Sequence, residues 1–189
     1  MLNLVRVNPA CHHGHPGAGL PAAGETARLG SMATTLFLVR HARAADRERW
    51  TGADRDRPLT GRGRAQAERL ALALAPERPA LLAASPWLRC VETAAPLAAA
   101  LGVDLRLDDR LGYDQADIEG WIRDAATHPG SAVVGVGHGD LIPMYLLRAR
   151  LVDGPPDFRT GSLFRVGLED GRPVAVTYVD RDDLPEPAA

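Results

Sequence analysis

From Thr34 onward the chain alternates short unbroken apolar runs with longer stretches in which apolar residues recur every three or four positions. Leu36-Phe37-Leu38-Val39 is apolar without interruption, the pattern of a strand buried on both faces. Ala80–Ala84 and Ala132–Val136 repeat it, and Val103–Leu107 predicts a further strand. Thr60 suits the N-cap of a helix running to about Leu74, with Ala67, Leu70, Ala71 and Leu74 on one face. A second helix is predicted from about Pro86 to Leu101, stopped by Gly102 and kinked or broken at Pro96. Ala116–Ala126 and Leu141–Ala149 predict two more helices. Ser162–Leu168 and Val174–Val179 flank Glu169-Asp170-Gly171, a hairpin turn.

Apolar strands separated by helices imply a mostly parallel central sheet covered on both faces, a three-layer α/β/α sandwich. Sites in such sheets form beyond the carboxyl ends of the strands, here just after Val39, Ala84 and Val136. Residues 1–31 differ from the rest. They are rich in Gly, Pro and Ala, lack periodicity, and carry Cys11, His12, His13 and His15. Without a matching ligand pair nearby, this segment reads as a disordered leader rather than a metal site, with Met32 as an alternative start. The domain is then expected over residues 32–180, followed by a flexible Pro- and Asp-rich tail, 181–189.

A length of 189 residues suits one domain with a full core. The net charge of -2 speaks against a nucleic-acid binder that works by bulk charge. All the basic residues are Arg and none is Lys, read first as coding bias from a GC-rich genome, although Arg also grips phosphate bidentately. Cys11 and Cys90 form no disulfide framework, which points to a reduced, cytoplasmic compartment. No apolar run reaches the length of a membrane span.

The chemistry concentrates at the predicted strand ends. Arg40-His41-Ala42-Arg43 follows the first strand, Ser85-Pro86-Trp87-Leu88-Arg89-Cys90 the second, and Gly137-His138-Gly139-Asp140 the fourth. Any one of these residues alone would pass for a turn histidine or a surface arginine. Two His and two Arg at one sheet edge form a more specific set. A neutral imidazole is a competent nucleophile toward phosphorus, and guanidinium forks can hold phosphoryl oxygens as charge spreads over them. Trp87 reads as a pocket wall or core residue, and Cys90 as a buried thiol. Gly135-Val136-Gly137-His138-Gly139 lacks the GxGxxG of a dinucleotide fold, and Thr60-Gly61-Arg62-Gly63-Arg64 lacks the Lys of a P-loop.

Leu36–Ala44 resembles the signature of the histidine phosphatase superfamily, also called phosphoglycerate-mutase-like, with Ala42 where the usual form has Gly, as in the small SixA-type phosphohistidine phosphatases. Asp56-Arg57-Pro58-Leu59-Thr60 with Gly61 and Gly63 resembles that branch's loop into its first helix. Ser85-Pro86 with Arg89 and Thr93, and Gly137-His138-Gly139, are similar to the later signatures. The resemblance spans roughly residues 34–180 and implies a phosphoglycerate mutase-like fold and a phosphatase that needs no metal or other cofactor. It implies His41 as the phosphorylated nucleophile, Arg40 and Arg89 on the phosphoryl oxygens, and His138 completing the pocket. Arg43 and Arg57 are secondary candidates for substrate binding.

Larger members carry an acid that protonates the leaving oxygen; here the corresponding stretch, Asp108–Asp114, does not match cleanly, and Asp114 or Asp109 serves, or neither does. Lack of an acid would fit substrates with good leaving groups. The implied partner is a phosphohistidine protein or a phosphorylated small molecule, a phosphoanhydride or nucleotide. Leu88–Ala98 with Gly137–Pro143 also resembles the phosphatase domain that follows a Nudix domain in some actinobacterial nucleotide hydrolases, although no Nudix box occurs here. A phosphoester monophosphatase and a non-catalytic module that binds phosphorylated ligands are the rival readings.

Overall fold

The computed structural model describes residues 34–154 and 156–187. The predicted leader, its Cys and His cluster and Met32 lie outside them. The first strand, β1 (Thr34–Arg40), runs parallel to β4 (Ala132–Gly137), which pairs in parallel with β2 (Leu81–Ala84), and β2 with β3 (Arg106–Leu107). On its other side β1 pairs antiparallel with β5 (Leu163–Glu169), which turns back into β6 (Arg172–Val179). The six strands lie in the order β3-β2-β4-β1-β5-β6.

Successive residues of a strand point to opposite faces, so a strand covered on both sides must be apolar throughout. In β1, Leu36 and Leu38 join a core with Trp121 and Ile122 of α3 (Ile118–Ala125) and Ile142 and Leu146 of α4 (Leu141–Arg148). Phe37 and Val39 join the opposite core with Leu70 and Leu74 of α1 (Gly61–Leu74) and with Cys90, Ala94 and Leu97 of α2 (Leu88–Leu101). Each fully buried Leu side chain contributes about 1.5–3 kcal/mol, so this double burial anchors β1 and the residues that leave its end. The predicted three layers are present, with an antiparallel hairpin at one edge of the parallel strands.

Local signals account for the element ends. The Thr60 side chain accepts a bond from the Gly63 amide at 3.1 Å, as an N-cap should. Asp117 caps α3 in the same manner, accepting from the Gly120 amide, whereas Asp140 at the start of α4 accepts from the adjacent Leu141 amide. Asp170 and Gly171 both have positive φ, 49° and 72°, the requirement of a type I′ hairpin turn.

Three expectations are corrected. Helix α2 runs unbroken through Pro96; the bond its ring denies the Glu92 carbonyl is outweighed by the packing of Cys90, Ala94 and Leu97. Strand β3 has two residues rather than five, because only Arg106 and Leu107 find partners, opposite Ala83 and Ala84. Residues 181–187 are not a free tail: Leu184 is buried in the α1–α2 core, and the Arg69 guanidinium of α1 donates to the Leu184 and Pro185 carbonyls. No helix among the described residues is long and apolar enough to cross a membrane.

Candidate active site

Strands β1, β2 and β4 end side by side, and the residues that follow them converge. The His41 amide bonds the Gly137 carbonyl at 2.9 Å, and the Ser85 amide bonds the Val136 carbonyl at 2.9 Å, so each strand end is held to β4. Thr93 of α2 accepts from the Ala42 amide at 2.9 Å and donates to the Arg89 carbonyl at 2.6 Å. One hydroxyl thereby fixes the histidine loop to the helix turn that carries Arg89. Behind the loop, Gln66 of α1 accepts from the Arg43 amide at 2.9 Å. A side chain at Gly63 would overlap the Arg43 carbonyl, so the start of α1 packs this close only because that position is glycine.

The tautomers follow from the partners. His41 is 9% exposed, and its Nδ1 lies 2.8 Å from the Ala42 carbonyl oxygen, which can only accept. Nδ1 therefore carries the proton, and Nε2 presents a lone pair toward the cavity. Arg89 Nε donates to that Nε2 at 3.2 Å. Arg89 Nη2 donates to His138 Nδ1 at 3.4 Å, which leaves His138 Nε2 to donate to Ser85 Oγ at 3.1 Å. One guanidinium thus addresses the unprotonated nitrogen of both histidines. Burial, followed by repulsion from Arg89 and Arg40, lowers His41 to about 4 even though the Ala42 hydrogen bond acts the other way. Burial and the Arg89 charge also push His138 well below its ordinary value. Both rings are neutral near pH 7.

The cavity in front of His41 has a volume of about 520 Å³. Arg40, Arg43, Arg47, Arg57 and Arg89 line it, against Asp54 and Asp140. Arg40 donates to the Phe158 carbonyl, while its buried Nε has no partner among the described residues. A side chain at Gly139 would overlap the Arg40 guanidinium, so Gly139 makes room for that close approach. Asp54 accepts from Arg57 Nε at 2.8 Å and sits 3.6 Å from Arg89 Nη2. Burial alone would raise the Asp54 carboxyl; the Arg57 hydrogen bond and the Arg89 charge outweigh it and hold the group below the usual carboxylate range. Burial raises Tyr113 to about 12, helped by its hydrogen bond to Asp140 at 2.9 Å.

His41, Arg40, Arg89, Arg43 and Arg57 all line this one cavity. His138 adjoins it but is 0% exposed, covered by Tyr113 at 4.2 Å and Trp87 at 5.3 Å between ring centroids. The candidate acids are not with them. Asp114 pairs with Arg55 at 3.2 Å in a half-exposed ion pair, and Asp109 is exposed. Sequence reasoning missed Asp54, Arg47, Tyr113 and Asp140 as cavity residues. Asp140 could have been found, since it directly follows Gly137-His138-Gly139. Asp54 and Arg47 sit in a polar stretch with no pattern that would single them out. Among the described residues no group of three His, Cys, Asp or Glu side chains is placed to hold a metal ion.

Residues 36–120 match the profile of the histidine phosphatase superfamily (branch 1). The chain is 32% identical over 157 residues to an 8-oxo-(d)GTP phosphatase of Mycolicibacterium smegmatis, covering 79% of this chain and 49% of that protein. It therefore spans about half the length of that curated relative. The structure is similar to a protein of Agrobacterium tumefaciens assigned as the phosphohistidine phosphatase SixA, with a TM-score of 0.58 and 29% identity over 78% of this chain and 97% of that one. It shares its fold with a phosphoglycerate mutase from Bacillus anthracis, with a TM-score of 0.64 and 16% identity over 82% of this chain and 96% of that one. These likenesses support phosphatase activity and single out no substrate. Over residues 36–120 the chain thus resembles the histidine phosphatase superfamily (branch 1).

Proposed function

We propose that the protein is a metal-independent phosphatase that works through a phosphohistidine on His41 Nε2. The observation that carries this reading is the tautomer lock: the Ala42 carbonyl holds the proton on Nδ1 and leaves an imidazole lone pair facing a cavity rich in guanidinium groups. The incoming phosphoryl oxygens take over the Arg89 Nε contact, beside the Arg40 guanidinium that lines the same cavity. His41 Nε2 then attacks phosphorus in line, the leaving group departs with its bonding pair, and water hydrolyses the N–P bond. His138 completes the pocket from behind by holding Arg89, in the tautomer that Arg89 sets, with its Nε2 donating to Ser85.

No carboxylic acid is assigned as proton donor. Asp54 is kept ionised by its arginines, and Asp114 faces Arg55. Labile phosphorus bonds are the matching substrates, either the P–N bond of a phosphohistidine protein or the P–O–P bond of a small phosphoanhydride, because neither needs strong protonation of the leaving group. The cytoplasm is the proposed compartment. The test is phosphate release, without added metal, from a phosphohistidine peptide, nucleoside diphosphates and sugar phosphates. Release that disappears in His41→Ala, together with an acid-labile phosphoenzyme in the wild type, supports the mechanism. Undiminished release in His41→Ala overturns it.

A further inference from the structure

Two arginines suffice for a phosphoryl group, yet five line the cavity. With Asp54 and Asp140 subtracted, the lining carries three net positive charges. A phosphomonoester brings roughly -1.5 to -2, so it would leave cationic charge unmatched. The excess is ordered. Asp54 stands between the inner and outer arginines, 3.6 Å from Arg89 on one side and 2.8 Å from Arg57 and 4.0 Å from Arg47 on the other. Asp54 thereby links Arg89, through one carboxylate oxygen, to Arg57 and Arg47 through the other. Arg57 is pinned there, since its Nη1 also donates to the Ala45 carbonyl at 2.7 Å. Arg43 lines the same cavity and, among the described residues, has no carboxylate within ion-pairing distance.

We propose that Arg43, Arg47 and Arg57 form a second anion subsite beside the phosphoryl pocket, and that the substrate is a diphosphate ester whose terminal phosphoryl is transferred while its inner phosphate rests on those arginines. This rests on the phosphatase reading above and deepens it. The lone pair of His41 Nε2 forms the bond to the terminal phosphorus. The bond from that phosphorus to the bridging oxygen breaks, and the oxygen leaves with the electron pair as part of the shorter phosphate. Water oxygen then bonds the phosphorus, the N–P pair returns to Nε2, and the water proton passes to the solvent. The leaving oxygen belongs to a phosphate, whose negative charge the outer arginines offset as it develops, so the step needs no carboxylic acid. The outer subsite thus explains how the cavity operates with Asp54 ionised.

The test has a binding arm and a kinetic arm, both on the full chain. By titration calorimetry, inorganic pyrophosphate is expected to bind at least tenfold more tightly than orthophosphate, and that advantage to shrink to within threefold in Arg43→Ala/Arg47→Ala. Equal affinities in the wild type overturn the subsite. In the kinetic arm, the ratio of kcat/KM for a nucleoside diphosphate to that for p-nitrophenyl phosphate should fall at least tenfold in the double variant; an unchanged ratio overturns it. A wild type that prefers a phosphohistidine peptide over the diphosphate overturns the substrate class. If the wild type releases phosphate from no compound, the phosphatase reading fails, and the pyrophosphate binding advantage still decides the subsite.

Discussion

The floor and the rim of the cavity are built on different principles. On the floor, His41, Arg89, His138 and Ser85 are buried and joined ring to guanidinium to ring to hydroxyl by fixed hydrogen bonds. At the rim, Arg43 and Arg47 are exposed and loosely bound, and beyond the cavity lining Arg55 and Asp114 are exposed and paired with one another. Buried polar groups must find partners in the protein, so the floor is organised before substrate arrives. Exposed charges are satisfied by water and stay adjustable. The chemistry should therefore fail sharply when the floor is altered, whereas the rim should change only which molecules are handled well.

The largest effect belongs to the nucleophile. His41→Ala removes the imidazole lone pair that the loop aims into the cavity, and kcat should drop by roughly 10⁴-fold or more, measured as phosphate release against a substrate-only blank. A residual rate within tenfold of wild type would show that the floor does not carry the reaction.

Next comes Arg89, which addresses both histidines and the Asp54 carbonyl at once. Arg89→Ala should lower kcat by about 10²- to 10³-fold, the usual consequence of losing a preorganised donor to a developing anion. Arg89→Lys keeps the charge but not the fork, and should recover less than tenfold of that loss. Full rescue by Lys would mean that charge alone is needed and that the three-way geometry is incidental.

The pH dependence separates floor from rim by sign. His41 must be neutral to attack, and its value in the fold is about 4 against an ordinary 6.5. The kcat/KM profile should hold steady down through pH 6.5 and fall only as pH drops through about 4. Stability behaves differently. Above pH 6.5 both folded and unfolded chains keep His41 neutral; below it the unfolded chain binds the proton first, so stability is lost between 6.5 and about 4. The loss attributable to His41 is on the order of 3 kcal/mol. Urea melts of wild type and His41→Ala at pH 7 and pH 5 should show the smaller loss in the variant. Identical pH dependence in the two proteins would count against a buried neutral His41.

The same contrast governs what the sequence disclosed. Floor residues stand directly after apolar strands, where the sheet's own geometry brings them together, so His41, Arg40, Arg89 and the neighbourhood of His138 could be placed from pattern and family resemblance. The rim comes from loops. Asp54 reaches Arg89 through a short 3-10 turn, and Tyr113 lies over His138 through a loop of ordinary polar composition; neither has a period to read. Pro96 misled for a related reason, since local propensity predicts a break that packing on both neighbouring turns overrides. The tail misled because its Asp and Pro content hides one buried Leu184.

Asp114 offers the smallest effect and the finest test. The sequence admits it as a proton donor, whereas the structure sets it in an ion pair with Arg55 whose side chains are 49% and 53% exposed. Such pairs contribute about 0–1 kcal/mol, so Asp114→Asn should leave the melting temperature nearly unchanged. If the leaving group needs no acid, kcat should stay within twofold on a phosphoanhydride and be equally indifferent on a simple alkyl phosphate, which is turned over poorly by both proteins. A loss of tenfold or more confined to the alkyl phosphate would identify Asp114 as an acid brought inward by substrate. A residue from beyond the cavity lining would then take part in the chemistry, and the division between a reactive floor and its adjustable surroundings would no longer hold.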